Sequence, residues 1–233
     1  MMRSILLAST LVISGCFCGF AKADPIVYWA FNGDLSAPPI DSEFGYGTLT
    51  FGNLNVRGLK GLEGTTLNAL HGFVAGDALS VDAGLGRLNN GKHFQFQTSL
   101  TGFKDVQVSW AQQGTHNGFN SRALAFSTNG TDFTEVGVNT GTLDSDWELA
   151  SFDLSSFPDL NDAATAWFRV TISGATTDSG RNRFDNLTIQ ATAVPEPTSL
   201  LLVGLAAGGG LAVWGRKRGG NAARIRTAPP TVE

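Results

Sequence analysis

Apolar side chains recur at every second position in several short runs, and that spacing constrains the fold more than any other feature. Phe94/Phe96, Val106/Val108/Trp110 and Phe168/Val170/Ile172 each alternate with other residues in this way. A period of two sends successive side chains to opposite faces of an extended strand. Runs rich in aromatic and β-branched residues predict strands over 25–31, 92–98, 105–110, 123–127, 147–154, 166–173 and 183–191, with further ones near 48–52 and 77–81. Asn129-Gly130 lies between two such runs and is a hairpin signal, because both residues tolerate the positive φ of tight turns. No helical pattern of useful length is present, although Pro158 to Ala164 suits a single turn. Residues 32–91 are glycine-rich and loop-heavy, and no internal repeat stands out. About eight or nine short strands joined by Gly/Asn/Asp turns predict an all-β chain, an antiparallel β-sandwich of the jelly-roll type.

Composition removes several alternatives. The 29 glycines among 233 residues have no three-residue period, which excludes collagen, and a 42% hydrophobic content argues against disorder. The two cysteines, Cys16 and Cys18, both lie near the start, so no disulfide framework is available to the rest. The formal net charge is −4. Residues 24–193 hold nine basic and eighteen acidic side chains, an excess of nine negative charges, with the basic residues concentrated toward the chain ends. Such a body should avoid nucleic acid and anionic membranes. It is compatible with calcium or with neutral glycans.

The two ends carry targeting signals. In residues 1–23, Arg3 supplies a positive start, Ile5 to Ile13 an apolar run, and Ala21-Lys22-Ala23 a small-x-small cleavage site, the layout of a secretory signal peptide. An alternative reading takes Ile13-Ser14-Gly15-Cys16 as a loose lipobox with a lipid on Cys16. At the other end, Thr198 to Gly215 is an 18-residue uncharged stretch that stops at Arg216-Lys217-Arg218. As a helix it would reach about 27 Å, just enough for a single transmembrane span. The basic cluster would stay cytoplasmic and the folded body would lie outside. A 15-residue tail, 219–233, is expected to be disordered.

Val194-Pro195-Glu196-Pro197, the apolar span and the basic cluster together resemble the C-terminal sorting signal of PEP-CTERM proteins. That resemblance implies an exosortase, a membrane-embedded cysteine protease or transpeptidase, that reads the Pro-Glu-Pro and cuts near it, after an intermediate stage anchored in the inner membrane. The two prolines suit this role, since they keep the backbone extended just outside the bilayer. The body resembles carbohydrate-binding-module and concanavalin-like jelly rolls. The residues that carry this second likeness are Tyr28-Trp29-Ala30-Phe31-Asn32, the Phe126–Phe133 hairpin and Arg183-Phe184-Asp185-Asn186-Leu187-Thr188-Ile189. It implies a structural calcium ion at Asp185, which Asn32 or Asp34 would help to ligate if the terminal strands pair. The alternative is that Asp185 tightens a turn or hydrogen-bonds a neighbouring loop.

Other candidates are fewer. His71, His93 and His116 have no zinc-like spacing. His116 and Phe119 share a polar loop and are candidate ligand-binding residues, with Phe119 expected to be exposed. Trp29, Trp110, Trp147 and Trp167 can stack on sugars, but each lies in an apolar strand, where burial is the default. No G-x-S-x-G elbow is present and no catalytic residues are assigned. The reading is an exported, non-catalytic surface or extracellular-matrix protein. The alternatives are a module that binds extracellular polysaccharide and, third, a matrix-polysaccharide hydrolase.

Overall fold

The computed structural model describes residues 23–36, 38–55 and 59–195. Cys16, Ala21, Glu196, Pro197, the apolar span, Arg216-Lys217-Arg218 and the tail lie outside the described residues, and Ala23 is the first of them. No helix among those described is long and apolar enough to cross a membrane.

Twelve strands follow in chain order: β1 (Asp24–Trp29), β2 (Ile40–Asp41), β3 (Gly47–Thr50), β4 (Leu59–Glu63), β5 (Asp77–Asp82), β6 (Lys92–Thr98), β7 (Phe103–Gly114), β8 (Ser121–Ser127), β9 (Thr134–Thr140), β10 (Glu148–Asp153), β11 (Ala166–Ser173) and β12 (Arg181–Ala193). They form two antiparallel six-stranded sheets. The first has the order β10-β7-β12-β5-β4, with β1 also on β12; the second runs β2-β3-β6-β11-β8-β9. The molecule is thus the expected all-β sandwich of jelly-roll type. Pro158–Leu160 makes the predicted single turn as a 3₁₀ helix.

The alternation in sequence becomes the two faces of each sheet. In β11, Phe168, Val170 and Ile172 are buried while Trp167, Arg169 and Thr171 face outward. Aromatic contacts then bind sheet to sheet: Trp29 meets Phe96 edge-on at 5.7 Å, and Phe94 meets Phe184 at 5.0 Å. Phe96 stacks on Phe168 at 5.3 Å within the second sheet. Each ring so buried contributes about 1.5–3 kcal/mol of transfer free energy.

The expected strand count is corrected upward. The two-residue β2, the glycine-bearing β4 and the partly exposed edge strand β9 were not predicted as strands, and β7 and β12 extend beyond their predicted bounds. The hairpin at Asn129-Gly130 does form, over a loop whose last strand pair is Phe126 with Thr134. Asn129 Oδ1 organises that loop, accepting the amides of Thr131 and Asp132, each at 2.9 Å.

Candidate functional site

The outer face of the second sheet is lined by side chains that alternate with its core. Register places Trp167 beside Gln97, Arg169 beside Gln95, and Thr171 beside His93. Neighbours directly opposite on one sheet face have Cβ atoms about 4.5–5.5 Å apart, so these six form a continuous surface. On the other flank Arg169 and Thr171 face Ala125 and Ala123, whose methyl groups leave the surface low. The Trp167 ring lies over Gly130 of the β8–β9 loop, where a Cβ would come within 3.3 Å of it. Arg169 is held in place: its Cζ stands 3.6 Å from the Phe133 ring centroid, and its Nη2 donates to Gln95 Oε1 at 3.2 Å.

This surface runs into a groove at the β2–β3 edge. The groove holds about 510 Å³ and is lined by Asp41, Ser42, Gly45, Tyr46, Gly47, Thr48, Gln97, Thr98, Ser99 and Thr165. Thr48 and Gln97 also line a shallow depression of about 70 Å³ with Thr50 and Gln95, so the two are continuous. Tyr46 is 94% exposed, with its backbone carbonyl taking the Thr98 hydroxyl at 2.7 Å. An aromatic side chain held out in solvent beside hydroxyls and amides is an unusual surface, since large rings are normally buried. Amides and hydroxyls both donate and accept, which suits polyhydroxylated partners. Among the described residues that line the groove, Asp41 is the carboxylate.

Asp185 lies on the other sheet, in a corner of different character. At Asp185-Asn186 the pairing of β12 with β7 shifts register, and Asn186 sits at φ 52°. Asparagine tolerates that left-handed conformation better than most residues. The bulge clips the loop of residues 64–76 onto the outer face of the first sheet. Asp185 Oδ2 accepts the Thr65 amide at 2.7 Å and its Oδ1 the Asn186 amide at 2.8 Å. Asn186 Nδ2 donates to the carbonyls of Thr65 and Leu67 at 2.7 and 2.8 Å, and the Tyr28 hydroxyl donates to Asn186 Oδ1. Asn68 Nδ2 reaches down from the loop to the Asn186 carbonyl at 2.7 Å.

Burial, with smaller contributions from Glu43 and Asp77, pushes the Asp185 carboxyl up to about 7 against two stabilising backbone N–H groups. Burial, then the Asp185 charge, also raises the Tyr28 hydroxyl. The other residues of the expected calcium set also accept hydrogen bonds from the protein. Asp34 Oδ1 takes the Ser36 amide at 2.8 Å in its own turn, and Asn32 Oδ1 takes the Asp77 amide at 2.7 Å. Beside Gly64, where a side chain would press into Asp185 Oδ2, the carbonyls of Ala75 and Asp77 also converge. Among the described residues no three His, Cys, Asp or Glu side chains cluster as a metal site. Asp185 does make the hydrogen bond to a neighbouring loop that its second reading expects.

The 115–119 loop departs from expectation. His116 is exposed, but Phe119 is fully buried in the core, which corrects its expected exposure. The cause is Asn182, whose side chain accepts the Phe119 amide at 3.1 Å and donates to its carbonyl at 2.9 Å. Arg122, also buried, adds a bond from Nη1 to the same carbonyl at 2.6 Å. Trp29 and Trp110 are core residues, whereas Trp147 and Trp167 are half-buried. His93 is half-buried in β6, and burial, then the charge of Arg169, lowers its pKa. Sequence reasoning missed Tyr46, Gln95, Gln97, Arg169 and Phe133.

At the C-terminal end, the Val194 amide bonds to the Gly102 carbonyl at 2.8 Å, directly after β12 ends at Ala193. Residues 193–218 match the family model described as the PEP-CTERM protein-sorting motif. The motif therefore begins where the sandwich stops. No curated protein matches the chain. Among solved structures it is similar to the CBM22-1 xylan-binding domain of Paenibacillus barcinonensis Xyn10C, at 13% identity over 76% of this chain and 100% of that one, with a TM-score of 0.41. It is similar also to the family 11 carbohydrate-binding module of a Clostridium thermocellum cellulosomal cellulase, at 16% identity over 77% and 99%, TM-score 0.39. A third is the K1 cleaved adhesin domain of Lys-gingipain from Porphyromonas gingivalis W83, at 14% identity over 76% and 100%, TM-score 0.42. Similarity at this level assigns no ligand. What the chain itself carries is plain: it is an antiparallel jelly-roll sandwich that ends in a PEP-CTERM sorting motif, the mark of an exported protein sorted to the cell surface.

Proposed function

We propose that this protein is a non-catalytic glycan-binding protein of the cell surface or extracellular matrix. Polysaccharide lies along the outer face of the second sheet, from Tyr46 to Trp167. The observation that carries this reading is the polar groove beside the 94% exposed Tyr46, continuous with the Gln97–Trp167 surface. A pyranose presents apolar C–H faces and hydroxyl edges, which aromatic rings and side-chain amides respectively complement. The C-terminal motif supplies the address. An exosortase reads Val194 to Pro197, and cleavage there leaves every strand of the sandwich intact, because β12 has already closed.

Native electrophoresis through gels containing soluble xylan, β-glucan or galactan tests the binding reading, with reducing-end release assayed on the same polymers. Retardation by at least one polymer, without release of reducing ends, is the expected result. Migration unchanged in every gel would remove the reading, and turnover would replace it with an enzyme.

A further inference from the structure

We infer that the open face selects acidic polysaccharides, sugars bearing an oxyanion, and that Arg169 is the residue that selects them. The inference rests on the glycan-binding reading above. Arg169 stands in the middle of the face, one register step from Trp167, where a sugar stacked on that ring would place its substituents. A guanidinium carries five N–H donors. Among the described residues Nη2 donates to Gln95 Oε1 and Nε is buried, so the donors left for an outside partner are those of Nη1 and the second Nη2 hydrogen. The ion pairs formed among these residues are Lys104–Asp105 and Arg181–Asp82, and Arg169 is in neither.

Arg87, Lys92, Arg122 and Arg183 are likewise in neither pair; Arg169 differs from them in being fixed on the outer sheet face, between the Phe133 ring and Gln95. Packing on Phe133 fixes the orientation of Arg169 and offsets part of the cost of desolvating its charge, while using none of its N–H donors. Ala125 across β8 leaves the space beside the guanidinium low. A planar fork fixed by one ring and one amide is pre-organised for two-point contact with a carboxylate or sulfate. A general attraction for polyanions is excluded by the excess of nine negative charges, so the selection has to be local.

The test pairs polymers of one backbone with and without charge: polygalacturonate against its methyl ester, and dextran sulfate against dextran. Affinity electrophoresis of the wild-type chain should show retention stronger by about tenfold on at least one acidic member than on its neutral counterpart, the size of one or two charge-assisted hydrogen bonds. Arg169→Gln should bring the ratio of acidic to neutral retention down to about one, whatever it does to neutral retention itself. Arg169→Lys, which keeps the charge without the fork, should recover only part of it. Melting curves of both variants report whether the Phe133 contact alone was lost. Equal retention of acidic and neutral members overturns the inference and leaves glycan binding standing. An acidic-to-neutral ratio left unchanged in Arg169→Gln also overturns it, because the residue then supports the face without selecting charge. Retention on no polymer brings down both readings.

Discussion

The outer faces of the two sheets are treated in opposite ways. On the first sheet, residues 64–76 form a roof over the region where β1 meets β12. Tyr28 and Thr188 point outward there and are nevertheless buried, with Phe73 packed 4.8 Å from the Tyr28 ring. On the second sheet the β8–β9 loop covers only one side, with Gly130 against Trp167 and Phe133 against Arg169, and Trp167, Arg169 and Gln95 stay partly open to solvent among the described residues. A polar residue under a roof must find partners inside the protein, and those of the Asp185-Asn186 corner do so almost completely. One on an open face can keep its capacity for an outside partner. Polar side chains therefore serve cohesion on one sheet and recognition on the other.

Breaking the roof should have the largest effect. Asn186→Ala deletes the acceptor for the Tyr28 hydroxyl and both donors to the 65–67 loop, and leaves alanine in a left-handed conformation. We expect a loss of about 3–5 kcal/mol in unfolding free energy, read by chemical denaturation, since several buried groups lose partners at once. Polysaccharide affinity measured below the new melting point should be unchanged. If affinity falls in step with stability, the two faces are not independent.

Proton uptake at the same corner comes next in size. The Asp185 carboxyl rises from 3.8 to about 7 in the folded state, so the folded protein binds the proton more tightly than the unfolded chain. The stability this adds is complete below about pH 4 and is lost as pH rises through about 7. At about 1.4 kcal/mol per pKa unit the swing has a ceiling near 4 kcal/mol. Asp185→Asn should flatten the dependence over this interval. Its melting loss should be the same in calcium and in chelator, as a loop clip requires; a loss confined to calcium would reinstate the metal.

Smaller still are the effects on the open face. Tyr46→Ala and Trp167→Ala should each weaken polysaccharide binding by about tenfold, with stability changed by less than about 1 kcal/mol for the exposed tyrosine. Processing sharpens the contrast from outside the sandwich. Mass spectrometry of the exported protein should find a new C-terminus between Val194 and Thr198, and a mature peptide containing Arg216 to Arg218 would contradict cleavage.

Much of the fold was legible in the sequence wherever alternation was clean. β6 and β11 begin and end where predicted, because Phe94/Phe96 and Phe168/Val170/Ile172 leave only one register with a buried face. β4, with Gly61 in its middle, is held by a partner more than a dozen residues away, and β2, at two residues, is too short to carry an alternation of its own. The site was half legible. The period that sends Phe168 inward also sends Trp167 and Arg169 outward, yet an apolar setting made every tryptophan look like core. Tyr46 had no such signal, since its exposure depends on how the β2–β3 edge meets β6. Phe119 failed in the other direction, because Asn182, sixty-three residues away, draws its loop inward.

The division of labour between the faces is tested most directly by isothermal titration of the double variant Tyr46→Ala/Trp167→Ala against the polymer that retards the wild type, with melting temperature recorded alongside. The account predicts that heat of binding disappears while the melting temperature stays within about 4 °C of wild type. Undiminished affinity in the double variant would contradict it.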